Sequence, residues 1–247
     1  MEYVLITGAS SGIGFELAKV FARNNYGLVL VSSNQDKLDL AANEIKKMSQ
    51  VPIHSYAIDL SIIGQAKYLY EIIKNEALDI SILINNAGYG LVGATEEIDF
   101  IQDEKMMVLN MISLVELTKY LIADMYRKNK GNILNISSTG AFQPGPYTST
   151  YFASKSFVLS YTRAVRYEAK EKGVLVSTLC PGATRTNFFQ REGMATPPLS
   201  MSAEKVAHYA YKKLLKGKEV IVPGLFNKAQ RFVPVKLKMK IVASIKK

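Results

Sequence analysis

Residues 3–14 read Tyr3-Val4-Leu5-Ile6-Thr7-Gly8-Ala9-Ser10-Ser11-Gly12-Ile13-Gly14. A short apolar run ends in three glycines spaced G-x-x-x-G-x-G, and a stretch of helical period follows. The run suits a buried strand. Gly8 permits a tight turn, Gly12 removes a side chain where a phosphate would approach the backbone, and Gly14 lets helix and strand pack closely. The helix that opens here offers unpaired N–H groups and the positive end of its dipole to an anion. Three glycines alone are a weak signal. Their place between strand and helix, near the N-terminus and within a βαβ unit, points to the pyrophosphate of a dinucleotide.

The rest of the chain repeats this alternation. Short apolar runs lie at Tyr3–Thr7, Gly27–Val31, Ile53–Ala57, Ile80–Ile84, Gly131–Ile136, Val174–Cys180 and Glu219–Val222. Most are continuously apolar, as strands buried on both faces of a parallel sheet must be. Amphipathic helices are expected near 12–24, 36–48, 62–76, 104–127, 151–172 and 203–215. This order predicts an α/β fold, a doubly wound parallel sheet of about seven strands with right-handed crossovers, in one domain over 1–222. Residues 186–202 lack a period and are expected to form a mobile loop beside the site.

Two further segments carry chemistry. In Tyr151-Phe152-Ala153-Ser154-Lys155 the phenol and the ammonium share a helix face. An unperturbed phenol titrates near ~10, and a neighbouring ammonium lowers that value, which makes a tuned proton donor and acceptor. Alone, this spacing is a common accident of surface helices. Ser138, in Asn135-Ile136-Ser137-Ser138-Thr139-Gly140, follows an apolar strand, and ligands of open α/β sheets bind outside the carboxyl ends of strands. Its hydroxyl can therefore meet a carbonyl held beside Tyr151 and stabilise developing charge.

The glycine spacing and the Ser138, Tyr151, Lys155 series resemble the short-chain dehydrogenase/reductase family, over roughly residues 1–222. The resemblance implies a Rossmann-type fold and an oxidoreductase that interconverts a carbonyl and an alcohol. Tyr151 would protonate the carbonyl oxygen as hydride arrives from a nicotinamide, and Lys155 would also bind the nicotinamide ribose. Asn110, in Val108-Leu109-Asn110-Met111, matches the family's structural asparagine, which supports a water-linked proton relay. Asn85-Asn86-Ala87-Gly88 matches the segment that braces the sheet and lines the adenosine side. Asp59 and Leu60 match the residues that contact adenine. Pro181, Gly182, Thr184 and Thr186 lie in the segment that holds the nicotinamide carboxamide. With Gly8, Ser10, Ser11, Gly12, Ile13 and Gly14, these are the expected cofactor contacts. The resemblance also implies a homodimer through the helices near 104–127 and 151–172, or a homotetramer. A binding protein on the same fold, sensing nucleotide without turnover, is the competing reading. The intact Ser138, Tyr151 and Lys155 argue against it.

Cofactor choice is read after the second strand, where an acid would accept from a ribose 2′-OH and repel a 2′-phosphate. Ser33 occupies that place, with Asn34 beside it and Lys37 nearby, so NADP(H) is favoured and NAD(H) remains open. Phe188, Phe189, Met194 and Leu199 suggest an apolar substrate. His54 and His208 are isolated, so no metal site is inferred.

The net charge of +10 belongs to one segment. Residues 212–247 hold eleven basic residues and one acid, and the preceding residues balance. Residues 223–247 form a basic extension, for which a peripheral membrane contact or a role covering the substrate is expected of residues 225–247. As a strand, Pro234–Lys240 would put its lysines on one face; as a helix, the preferred reading, it groups Leu237, Ile241 and Ile245. Aromatic residues are too sparse among the lysines for nucleic-acid recognition. No run approaches the ~18 apolar residues of a membrane span and no signal peptide is read, so with Cys180 as the single cysteine a cytoplasmic location is expected.

Overall fold

The computed structural model describes residues 1–191, 193 and 195–246. The first half of the chain runs β1 (Tyr3–Thr7), α1 (Gly12–Arg23), β2 (Gly27–Ser32), α2 (Gln35–Lys46), β3 (Ile53–Ala57), α3 (Gln65–Asn75), β4 (Ile80–Asn85), α4 (Phe100–Met107) and α5 (Ser113–Arg127). There follow β5 (Gly131–Ile136), α6 (Ser149–Ala169), β6 (Val174–Leu179), β7 (Thr184–Arg185), α7 (Phe188–Arg191), β8 (Met201–Ser202), α8 (Ala203–Leu214), β9 (Val220–Ile221), α9 (Leu225–Ala229) and α10 (Val235–Lys246). Seven strands form one parallel sheet in the order β3-β2-β1-β4-β5-β6-β9. The chain winds outward from β1 in one direction and from β4 in the other, so the switch point lies between them. This is the Rossmann-type doubly wound fold.

Burial explains the strand composition. The inner strands are buried along nearly their whole length because helices cover both faces. Leu17, Phe21, Val206 and Ala210 pack on one face. Leu69, Ile73, Leu117, Leu121 and Met125 pack on the other. Each such leucine or isoleucine contributes about 1.5–3 kcal/mol through removal from water. The edge strand β3 is only partly buried, which is why it tolerates His54 and Ser55. The last strand is shorter than the apolar run Glu219–Val222 suggests. Its pairing with Thr178 and Leu179 stops at Ile221, just before Pro223, which has no N–H for a ladder.

Behind the strand ends lies a chain of buried polar groups. Asn85 Nδ2 donates to Thr118 Oγ1 at 3.0 Å and to Asn135 Oδ1 at 2.9 Å. Asn135 Nδ2 donates to Thr162 Oγ1 at 3.0 Å. This chain ties α5, β4, β5 and α6 together through the core. Asn135→Ala removes one acceptor of the Asn85 amide, which keeps Thr118, and the donor to Thr162 Oγ1, which still donates to the Val158 carbonyl, and should cost about 1–3 kcal/mol. The urea midpoint measures it, and a loss below about 1 kcal/mol would mean the chain is not a brace.

Two local departures from the sequence pattern matter. Helix α3 starts at Gln65, because Gly64 turns the backbone at φ +87° and interrupts the helical period. The long helix of residues 100–127 carries a single wide turn, Val108–Ile112, with Asn110 at its centre. Length and composition would let this helix cross a membrane, but half of that apolar stretch is buried inside the protein, with Leu117, Leu121 and Met125 against the sheet. Residues 186–202 are bracketed by pairing of Thr184 with Met201 and Arg185 with Ser202. Met194 of the expected substrate loop lies outside the described residues.

Candidate active site

Thr7, Asn86, Ser138 and Pro181 all sit at or just beyond the carboxyl ends of parallel strands, so the fold gathers them at one edge. Thr7 Oγ1 accepts from the backbone N–H groups of Asn86 and Ala87 at 3.0 and 2.9 Å. Asn86 Nδ2 donates to the carbonyls of Thr7 and Gly8 at 2.9 and 3.2 Å. These bonds lock the β1 and β4 ends at the switch point, beneath the glycine turn. Gly12 has φ +60°, and a Cβ there would face Thr186 Cγ2 at 3.0 Å. A Cβ on Gly14 would lie 2.5 Å from the Gly8 carbonyl oxygen, so only glycine lets α1 approach the turn. Ser11 at the N-cap makes no side-chain cap bond. The first N–H groups of α1 therefore remain available to an anion.

Tyr151 and Lys155, the expected acid/base pair, both lie on α6. Lys155 is only 5% exposed, and its Nζ donates to the carbonyl of Ile136 at 3.1 Å. Burial pushes its pKa down to about 8, with Cys180 opposing. The ammonium lies 5.7 Å from the centre of the Tyr151 ring. Tyr151 is 9% exposed and its ring meets Phe188 at 5.5 Å and Phe152 at 5.9 Å. Ser137 Oγ donates to the Lys155 carbonyl at 2.7 Å, and Ser156 Oγ to the Ala141 carbonyl at 3.1 Å. The segment carrying Ser138 is thus fastened along the first turns of α6. Ser138 is part-exposed, and its Oγ accepts from the N–H of Gly140 at 3.0 Å.

Asn110 joins this group from the other side. Its Nδ2 donates to the Tyr89 carbonyl at 3.0 Å and to Ser154 Oγ at 3.1 Å, and its Oδ1 accepts from the Tyr89 N–H at 3.3 Å. The wide turn at 108–112 is where these sideways bonds are made. A Cβ on Gly88 would sit 2.7 Å from Asn110 Oδ1 and 3.2 Å from Lys155 Nζ, so Gly88 separates the two. Burial, then the charges of Asp59 and Asp103, raise the pKa of Tyr89. That tyrosine stays protonated and serves the site through its backbone.

A model of the short chain dehydrogenases matches residues 2–196. The chain belongs to the short-chain dehydrogenase/reductase family. It is 32% identical over 187 residues to the very-long-chain 3-oxoacyl-CoA reductase of Homo sapiens, covering 73% of this chain and 58% of that protein. The ketoacyl reductase HetN of Nostoc sp. is 30% identical over 223 residues, covering 89% of this chain and 77% of that protein. The chain thus spans 58% of the length of the human reductase it matches. Among solved structures, a short-chain dehydrogenase from Sphingobium yanoikuyae in complex with NADPH superposes with a TM-score of 0.88 at 30% identity, covering 100% of this chain and 97% of that one. The bulky-bulky ketone specific alcohol dehydrogenase from Comamonas testosteroni superposes with a TM-score of 0.82 at 27% identity, covering 100% and 96%.

Within this family frame, several expected cofactor residues have further work in the fold. Asn34 Oδ1 accepts from the N–H of Lys37 and caps α2, which leaves its amide N–H groups for a ligand. Ser10 and Ser32 bond to each other through their hydroxyls at 2.9 Å. Asp59 Oδ1 accepts from the N–H and hydroxyl of Ser61 and closes a turn. Leu60 is 4% exposed in the core, and its carbonyl accepts from Ser113 Oγ. Thr184 Oγ1 donates to the Gly182 carbonyl at 2.9 Å, and Thr186 Oγ1 accepts from the Phe188 N–H. Ile13, in the first turn of α1, packs against the core. Sequence reading missed Tyr89, Ser154 and Ser137. Their roles are backbone or hydroxyl contacts across the fold, which no residue spacing announces. It also missed Asn227, whose Oδ1 would lie 2.3 Å from a Cβ on Gly182.

Proposed function

We propose that the protein is an NADP(H)-dependent oxidoreductase that interconverts a carbonyl and an alcohol, with Tyr151 as acid/base. The observation that carries this reading is the buried Lys155 ammonium, 5.7 Å from the Tyr151 ring, beside the Ser138 segment at the carboxyl edge of the sheet. The nucleotide fits the residues present. The α1 N-terminus and the Gly12 cradle suit the pyrophosphate, and Ser33 with the Asn34 amide suits a 2′-phosphate. When bound, the nicotinamide supplies or accepts the hydride.

The protein groups do the rest. Ser138 Oγ donates to the substrate oxygen and holds it beside Tyr151. Tyr151 gives its proton to that oxygen during reduction and takes it back during oxidation. The Lys155 charge favours the phenolate over the phenol. Asn110 and Ser154 hold α6 against the loop at Tyr89 that follows β4. Phe188, in contact with Tyr151, and Phe189 favour an apolar substrate, in line with the bulky-ketone and 3-oxoacyl relatives. Exposed Ile101, Ile112, Phe157 and Tyr167 on α4–α6, or in the wide turn between α4 and α5, support a homodimer through these helices. A cytoplasmic location suits a chain whose one cysteine, Cys180, is buried.

The test is oxidation of NADPH and of NADH against ketones, aldehydes and 3-oxoacyl thioesters. Wild type is expected to prefer NADPH. Ser33→Asp places a carboxylate against the 2′-phosphate and should raise KM for NADPH by about tenfold or more, with NADH less affected. Failure of both nucleotides with every carbonyl, or equal loss for both in the variant, would count against the reading.

A further inference from the structure

A helix resting on a globular domain normally turns its apolar stripe inward. Helix α10 does the reverse. Its buried residue is Lys238, whose Nζ donates to the Phe142 carbonyl at 3.2 Å. Lys246 reaches inward as well, 5.9 Å from the centre of the Phe189 ring. The four-residue series Leu237, Ile241 and Ile245 faces solvent at 52%, 48% and 58% exposure. Leu225, Phe226 and Phe232, just before it, are more exposed still. Isolated exposed apolar residues are ordinary, but six within one short segment mark a surface that meets a partner.

Charge narrows the partner. Residues 225–247 hold seven basic residues and no acid. Beside them lies a cavity of about 400 Å³ whose lining includes Tyr209, Lys213, Lys218 and Lys228 and no acidic residue. Lys213 and Lys228 lie 5.6 and 5.8 Å from the centre of the Tyr209 ring. A second copy of this chain would bring the same cations to the contact, and like charges oppose such a pairing. A bilayer with anionic headgroups meets both features, hydrocarbon for the apolar stripe and phosphates for the lysines.

We infer that residues 225–246 form a docking surface for an anionic lipid bilayer, with Leu237, Ile241 and Ile245 entering the interface and the surrounding lysines meeting headgroups. The inner face of the same helix touches Phe142, after Ser138, and Phe189, in the substrate loop. Docking therefore brings the substrate side of the protein close to the lipid. The docking surface stands whether or not the function proposed above is correct.

The experiment is sedimentation of the full chain with phosphatidylcholine vesicles, with and without about one-third phosphatidylglycerol. At low salt the protein should pellet with the anionic vesicles and bind neutral ones at least about tenfold more weakly. Raising salt to about 0.5 M should weaken binding to anionic vesicles by a similar factor, since screening shortens the reach of the lysines. Leu237→Glu/Ile241→Glu/Ile245→Glu should stay in the supernatant with an unchanged thermal midpoint, because the replaced side chains are exposed. If that variant shifts the midpoint, Lys236→Glu/Lys240→Glu is decisive by the same readout. Wild type left in the supernatant with anionic vesicles at low salt overturns the proposal, as does vesicle binding that survives these variants. A dimer that the triple variant dissociates, without vesicle binding by wild type, would assign the stripe to a second copy and overturn it too.

Discussion

Tyr151→Phe is expected to lower kcat/KM for carbonyl reduction by about a thousandfold, within the range of about 10²–10⁴ for loss of a positioned acid. The change removes one oxygen and keeps the ring. The contacts with Phe188 and Phe152, and the place of Lys155 under the ring, should survive. Nucleotide affinity should therefore stay within about threefold, because the phosphate cradle is remote from the change. The loss should appear in kcat as much as in kcat/KM, as for a group that acts mainly in the transition state. Steady-state nucleotide oxidation and a fluorescence titration of bound nucleotide separate the two. Residual turnover above about one-tenth of wild type would remove Tyr151 from the acid/base role.

Lys155→Met should do two opposite things. Activity should fall by about 10²–10⁴-fold, because the charge that favours the phenolate is gone. The nucleotide-free protein should become more stable at neutral pH. Burial lowers the Lys155 pKa from 10.5 to about 8. That shift corresponds to about 3 kcal/mol lost on folding with a charged lysine. Methionine avoids this cost and gives up one hydrogen bond, to Ile136, worth about 1 kcal/mol. A net gain of about 2 kcal/mol at pH 7 is expected.

The pH dependence carries the sign. Below about 8 the lysine is charged in both the folded and unfolded states, so the full penalty is present. Between about 8 and 10.5 the unfolded chain binds more protons, and wild-type stability rises relative to the variant. Above 10.5 both states are neutral and the difference in charge cost is gone. Urea unfolding of both proteins at pH 7 and near the top of this window measures the effect. A constant difference across the window would mean that Lys155 is not a buried cation. The outcome is a stability cost carried for function.

Much of the fold was legible because its signals are local. A strand buried on both faces must be apolar along its length, so β1, β2, β4, β5 and β6 announce themselves. The edge strands are weaker signals, since β3 is half wet and β9 is cut short before Pro223. The site was partly legible for the same reason. Gly12 and Gly14 answer to a turn that lies within a few residues of each. Tyr151 and Lys155 share a face through helical periodicity alone.

Other features depend on residues far apart in the chain. Asn110 takes its partners 21 and 44 residues away, at Tyr89 and Ser154, and only the packed fold brings them to its wide turn. Leu60 and Asp59 sit where a ligand contact was expected, but one is drawn into the core and the other closes its own turn. The helical period of residues 235–246 was visible, whereas the face it buries was not. Periodicity orders side chains around an axis and says nothing about which side meets the protein.

By itself, the sequence determined the alternating strands and helices, the glycine turn after the first strand and the shared helix face of Tyr151 and Lys155, because each follows from spacing along one element. Only the tertiary structure decided that Lys155 is buried without an ion pair to a carboxylate among the described residues, that four elements are stitched through Asn85 and Asn135, and that α10 turns its lysine inward and its leucine out. Those depend on dielectric surroundings and on which surfaces meet, and both arise only when distant segments pack together.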